Sequence, residues 1–337
     1  MSLGISCYAD LPKFTLYNEI IPRPNDGSTG SYSSKHINDS GDMLVETYQY
    51  VGNQLQLDYY RWNGSTHTHL LTTPGSGWNA QLNNQNQLLI GNYFYDNGTT
   101  TLIQGQNCKL ADHGTVLVPQ SDYVSIYEAS THTKTQIAGL LSQPASSISL
   151  SGVVAISDLR YGISRWTKES GLQKLVLPSG LVVRMNIPVY VSNDGTIGAP
   201  LAKVDASTGA TTPQPVIFVG GTSVLLPIGD ATYGEVTSVA SKDLVYGNLK
   251  TVNASDGSTN QIRVAWVKGV LHKLELVGNT SFGAVAACNS AGSLVGWLPG
   301  QNAAFRMTPV PEPSTLFVTL AGFCGVLCRR RKRTPRL

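Results

Sequence analysis

Charge is what this sequence has least of. Asp, Glu, Lys and Arg make up 13% of the 337 residues, about half the share usual in a soluble cytosolic domain. Ser, Thr, Asn, Gln and Gly stand in the vacated positions, as in extracellular β-proteins whose faces are polar without being ionic. The formal net charge of +3 is not a field over the molecule, because six of the 24 basic residues crowd between Arg329 and Arg336. The remaining 18 face 21 acidic residues. A nucleic-acid partner needs basic residues spread over a folded face with aromatics between them, so none is expected.

Other absences exclude more. Five cysteines form no Cys-x-x-Cys pair, which removes a structural zinc site of ordinary spacing. The odd count argues against a disulfide scaffold. Cys108 and Cys288 read as small buried hydrophobes. No Gly-x-Ser-x-Gly elbow, His-Glu-x-x-His pair or phosphate-cradling glycine loop occurs; Gly278-Asn-Thr-Ser-Phe-Gly283 has the wrong spacing. No catalytic residue, cofactor or metal ligand is therefore assigned. No stretch of the body keeps apolar residues at i, i+3, i+4 and i+7 for three turns, which excludes long amphipathic helices.

What the chain does have is a distinctive end. Prolines at 309, 311 and 313 hold a segment extended and accessible. Thr315–Cys328 then carries no charge for 14 residues, and Arg329, Arg330, Arg331, Lys332 and Arg333 follow at once. Fourteen helical residues span about 21 Å against a hydrocarbon core of about 30 Å. Snorkelling arginines and local thinning of the bilayer bring that length within reach of a membrane span. The positive-inside rule leaves the basic cluster cytoplasmic and the body outside. Val310, Pro311, Glu312, Pro313, Ser314 and Thr315, with the apolar run and basic stop behind them, resemble the PEP-CTERM sorting signal of Gram-negative and related bacteria. The resemblance covers residues 309–333. It implies a membrane-embedded exosortase as processing partner, cleavage near Pro-Glu-Pro, and a transiently anchored, exported protein. At the other end, Leu3-Gly-Ile-Ser-Cys-Tyr-Ala9 before Asp10 looks like the close of a signal peptide, so residues 1–9 are read as its remnant, with the true start upstream.

Between these ends, residues 10–308 alternate in short runs with turn residues, which indicates strands. One half-unit, a polar turn followed by an apolar strand, recurs seven times. It is clearest in Ile37-Asn-Asp-Ser-Gly-Asp-Met-Leu-Val45, Leu110-Ala-Asp-His-Gly-Thr-Val-Leu-Val118 and Cys288-Asn-Ser-Ala-Gly-Ser-Leu-Val-Gly296. Its turn position falls at Gly41, Asn86, Gly114, Gly152, Gly195, Asp243 and Gly292, residues that accept a left-handed backbone cheaply. The mean spacing of about 42 residues is that of propeller blades. A second half-unit, an aromatic strand, an Xaa-Gly turn and a Leu-rich strand, appears around Trp62, Tyr93–Tyr95, Trp166, Phe218 and Trp266. The units are similar to HAF-type extracellular repeats, although several lack the Trp. The expected fold is all-β: a propeller-like body of about seven small antiparallel sheets plus a C-terminal hydrophobic helix, with a solenoid or paired sandwiches as alternatives. The last unit lacks its Leu strand, and Phe14–Ile21 has no unit of its own. These residues are expected to pair near Phe305 and close a ring.

Candidate ligands are sparse. His67 and His69 could share a strand face but have no third partner, and they read as solvated, as does His132. Asp39, Asp42, Asp112, Asp194 and Asp243 lie in or beside turns; turn chemistry accounts for them without calcium. The five tryptophans read as repeated core packing. The leading function is a non-catalytic cell-surface or matrix protein binding exopolysaccharide or envelope components. The alternative is a secreted propeller hydrolase or lyase acting on polysaccharide.

Overall fold

A computed structural model describes residues 11–310, apart from 26–29, 76–78, 106, 140–144, 159–161, 184–186, 253–257, 279–281 and 299–300. The strands come in groups of four. After β1 (Lys13–Ile20), the first group is β2 (Tyr32–Ile37), β3 (Met43–Val51), β4 (Gln54–Trp62) and β5 (His67–Pro74). The second is β6 (Ala80–Leu82), β7 (Leu88–Ile90), β8 (Tyr93–Asp96) and β9 (Thr99–Leu102). The third is β10 (Lys109–Leu110), β11 (Thr115–Pro119), β12 (Tyr123–Glu128) and β13 (Thr133–Gly139). The fourth is β14 (Ala145–Ile148), β15 (Val154–Asp158), β16 (Gly162–Thr167) and β17 (Gly171–Lys174).

In the fifth group the inner strand is split into β18 (Leu181–Val182) and β19 (Tyr190–Val191), which both pair with β20 (Ile197–Val204) ahead of β21 (Thr211–Val219) and β22 (Thr222–Leu225). The sixth is β23 (Tyr233–Ser241), β24 (Leu244–Val252), β25 (Thr259–Val267) and β26 (Val270–Gly278). The seventh is β27 (Ala284–Cys288), β28 (Leu294–Leu298) and β29 (Ala303–Pro309), and β1 adds its fourth strand.

Seven separate hydrophobic cores lie between these sheets, each built from two successive ones. Leu44 and Tyr59 of the first meet Leu82 and Leu88 of the second. Leu89 and Phe94 meet Val116 and Val118; Leu117 and Ile126 meet Val154 and Ile156. Ala155 and Ile163 meet Leu201 and Phe218, and Ile217 and Leu226 meet Val236 and Trp266. Tyr246 and Leu274 meet Phe305 and Met307. Val295 and Ala304 of the seventh then meet Met43 and Trp62 of the first, which closes the circle. The body is a seven-bladed β-propeller, and neither a solenoid nor a pair of sandwiches.

This packing explains the repeated apolar run. The second strand of each blade is covered on both faces, so it reads as continuous hydrophobicity rather than alternation: Met43–Val45, Val116–Val118 and Val154–Ile156 are all buried. In the second, fifth and sixth blades the hairpin after the third strand is a two-residue turn. Asn97-Gly98, Gly220-Gly221 and Lys268-Gly269 all have positive φ at both positions, the pattern of a type I′ turn.

β1 closes the ring as the sequence suggests, with Ile20 opposite Phe305 in an antiparallel pair with β29. It also does something unforeseen: its other edge pairs in parallel with β26, Phe14 against Leu274. Blades six and seven thus share one eight-stranded sheet. Glu19 accepts from Arg306 at 2.7 Å, and that guanidinium lies 4.9 Å over the Trp62 ring of blade one. The hydrophobic helix expected over 315–328 lies outside the described residues. Among those described, no helix is long and apolar enough to cross a membrane.

Candidate functional site

The inner strands of all seven blades face one central channel of about 560 Å³. Its geometry is set by the turns that end those strands. In the first blade the Asn38 N–H donates to the Asp42 carbonyl and the Gly41 N–H to Asn38, a three-residue turn closed by a left-handed residue. The same pair of bonds recurs from Asn83, Ser149, Ser192 and Asn289. Six of the seven turn positions read from the sequence have positive φ, from 62° at Asn86 to 85° at Gly41. Asp243 is not among them, because the sixth blade turns in two residues, with Ser241 opposite Leu244.

The asparagines that open three of these turns carry bonds that join the blades. Asn289 Nδ2 donates to the Asn38 carbonyl at 3.1 Å, and Asn38 Nδ2 to the Asn83 carbonyl at 3.1 Å. Asn83 Nδ2 donates in turn to Ala111 at 3.0 Å. All three asparagines are buried, where a polar group is tolerated only when its bonds are met. Beyond them, the Asp112 N–H donates to Leu150, Ser151 Oγ to Asn193, and the Lys242 N–H to Asp194.

The turn aspartates are committed in the same way. Asp112 accepts from the Asn84 N–H and side chain. Burial pushes the Asp194 carboxyl up, but bonds from the Ser192 hydroxyl and the Lys242 and Thr196 N–H groups outweigh it and leave it below the usual range. Asp39 accepts from the Ser290 N–H on one oxygen and from the Asn193 amide on the other. Asn193 belongs to the fifth blade, which does not adjoin the first, so this bond spans the channel at its turn end.

The channel wall is mostly neutral: Asn79, Gln81, Ser147, Tyr190, Thr237 and Ser238 line it with Lys35, His36 and Lys109. Lys35 pairs with Glu46 at 2.9 Å. Burial holds His36 at about 4, below its usual value, although the Leu82 carbonyl opposes the shift. Its Nδ1 is buried with no hydrogen-bond partner among the described residues. Burial also lowers Lys109, whose ammonium donates to the Ser146 carbonyl. Burial pushes the Cys288 thiol, beside the same wall, up to about 12, far from a reactive thiolate.

Other candidates scatter. His67 is not simply solvated, since it lies 3.2 Å from the Tyr32 hydroxyl and packs against the Tyr60 and Trp62 rings. His69 is 3.4 Å from Asp58, and His132 bonds the Tyr127 hydroxyl at 2.9 Å. Among the described residues no three His, Cys, Asp or Glu side chains gather as metal ligands. Trp62 and Trp266 are core residues, whereas Trp297 is 40% exposed. Of the sorting segment, Val310 is the last residue described, its N–H donating to Thr15. Pro311, Glu312, Pro313, Ser314 and the basic residues 329–333 lie outside.

No family model matches the chain, and no curated protein matches it in sequence. Among solved structures, it is similar to the N-terminal domain of Nup159, with TM-score 0.48 and 11% identity over 88% of this chain and 97% of that one. It is also similar to TolB from Acinetobacter baumannii, with TM-score 0.37 and 10% identity over the same shares. The propeller itself is read from this chain's own sheets and inter-blade cores.

Proposed function

We propose that the chain is an exported, non-catalytic surface or matrix protein, delivered by its C-terminal sorting tail and binding exopolysaccharide in the propeller's central channel. The observation that carries the delivery half is the coincidence of Pro311-Glu-Pro313, an uncharged 14-residue run and five basic residues at one end of the sequence. The binding half is supported by the channel. Its wall offers amides and hydroxyls, the groups that recognise sugar hydroxyls, in a volume within the range of ligand pockets. Its carboxylate and one of its two ammoniums are already tied to protein partners. The low charge of the body fits the same reading, because a neutral polar surface does not compete electrostatically with a matrix.

The test is incubation of the full chain with a panel of extracellular polysaccharides, scoring retention and chain length together. Retention with chain length unchanged is expected. New chain ends or shortened products would establish the hydrolase or lyase alternative, and retention on no polysaccharide would overturn the binding half.

A further inference from the structure

Within that reading, we propose that the channel recognises a carboxylate-bearing sugar, a uronate unit, whose anionic group is received by Lys109. Three features of the channel wall support this. The first is an uncompensated charge. Lys109 Nζ donates to one backbone carbonyl, that of Ser146, and among the described residues no carboxylate lies within ion-pair distance of it. An ammonium drawn away from bulk water without a counter-charge is unfavourable, and an ammonium has three donors to satisfy. An anion entering the channel meets both needs.

The second feature is backbone irregularity aimed at the same space. The inner strands of three successive blades each carry an extra residue: Thr237 in β23, Ala286 in β27 and Lys35 in β2. All three line the channel. Bulges re-aim side chains and gather beside binding sites, and here one brings Lys35, whose charge is already met by Glu46, to the wall.

The third is His36. Held neutral by burial, and with the Leu82 carbonyl taken as the partner of its N–H, it keeps a lone pair on Nδ1 that no described group meets. A hydroxyl group, direct or through one water, supplies the missing donor. Together these features call for a ligand with one carboxylate and several hydroxyls. A bare inorganic anion lacks the hydroxyls, and a neutral sugar lacks the charge.

The test uses the full chain in detergent and isothermal calorimetry with D-glucuronate, D-glucose, inorganic phosphate and a glucuronate-terminated trisaccharide. Glucuronate is expected to bind at least tenfold more tightly than glucose or phosphate. Lys109→Met should abolish that preference and Lys109→Arg should retain it, both in chains that still unfold in a cooperative transition. Should Lys109→Met fail to fold, Asn79→Asp on the same wall serves instead, and its added charge should weaken glucuronate but not glucose. Tighter binding of the trisaccharide assigns the site to a chain end; equal binding assigns it to a single unit. Phosphate binding as well as glucuronate, or an undiminished preference in the folded Lys109→Met or Asn79→Asp variant, overturns the proposal. Neutral glucans bound with no preference for uronate would overturn it while leaving polysaccharide binding intact, and no saccharide bound at all would remove both.

Discussion

Replacing Asn83 tests whether the turns hold the blades together or merely reverse the chain. The side chain is fully buried and makes four bonds. Its Oδ1 accepts from the Gln85 N–H at 3.1 Å and the Gln87 N–H at 2.9 Å, which shape its own turn. Its Nδ2 donates to Gln87 Oε1 at 2.7 Å and to the Ala111 carbonyl at 3.0 Å, the second bond reaching the next blade. Each bond is worth about 1 kcal/mol net, and a buried partner left bare adds to the loss. Asn83→Ala should therefore cost about 3 kcal/mol, lowering the melting temperature by roughly 5–10 °C. Asn83→Asp separates the two roles, because it keeps both acceptor bonds and loses both donations. It should lose about half as much, or more where its charge faces the Ala111 carbonyl. Thermal unfolding followed by circular dichroism reads both. An Asn83→Asp variant as stable as the parent would refute the inter-blade role.

Deleting residues 1–22 removes β1 and uncovers the edges of β26 and β29. Losing the buried Leu16 and Ile21 alone costs about 5 kcal/mol, so melting should fall by more than about 10 °C. An unchanged midpoint would mean that β1 does not close the ring. Gly296→Ala would set a Cβ 1.9 Å from the Ala284 carbonyl oxygen and against the Phe305 ring, and should destabilise by about 2–3 kcal/mol; wild-type stability in a chemical denaturation series would contradict that crowding. Acid should weaken the fold in two stages. His36 titrates at about 4 in the folded chain against an ordinary 6.5, so the unfolded chain takes up its proton first. Stability present above 6.5, at most about 3 kcal/mol, is lost as pH falls through that window. Asp194, held low, loses its contribution only below the ordinary carboxylate value of 3.8. His36→Gln should flatten the upper stage alone, and an unaltered pH profile would show that His36 does not cause it.

Much of the ring is legible in the sequence because its strongest constraint is local. A left-handed turn residue before an apolar run marks the first hairpin of a blade, and six of the seven marked positions are left-handed in the structure. The pairing of Ile20 with Phe305 follows from a missing strand at one end and a spare one at the other. The parallel pairing of β1 with β26 has no such signal, since it depends on how two neighbouring blades splay. The channel is the least legible part. Lys35, His36 and Lys109 sit in runs with no shared motif, because a propeller brings one or two residues per blade to its axis from positions far apart in the chain. The polar residues that open five of the turns read as turn chemistry, but the bonds that Asn38, Asn83 and Asn289 send to the next blade follow from the closed ring.

On the proposed function the C-terminal segment directs the propeller to the cell surface, and the mass of the mature protein tests that claim most directly. The protein should be expressed in a host that carries an exosortase, recovered from the cell surface, and measured intact and after digestion. Cleavage beside Pro311-Glu312-Pro313 predicts a chain ending close to that motif and no peptide from residues 316–337. A surface form that keeps Arg329–Leu337 would contradict processing and leave a simple anchor in its place.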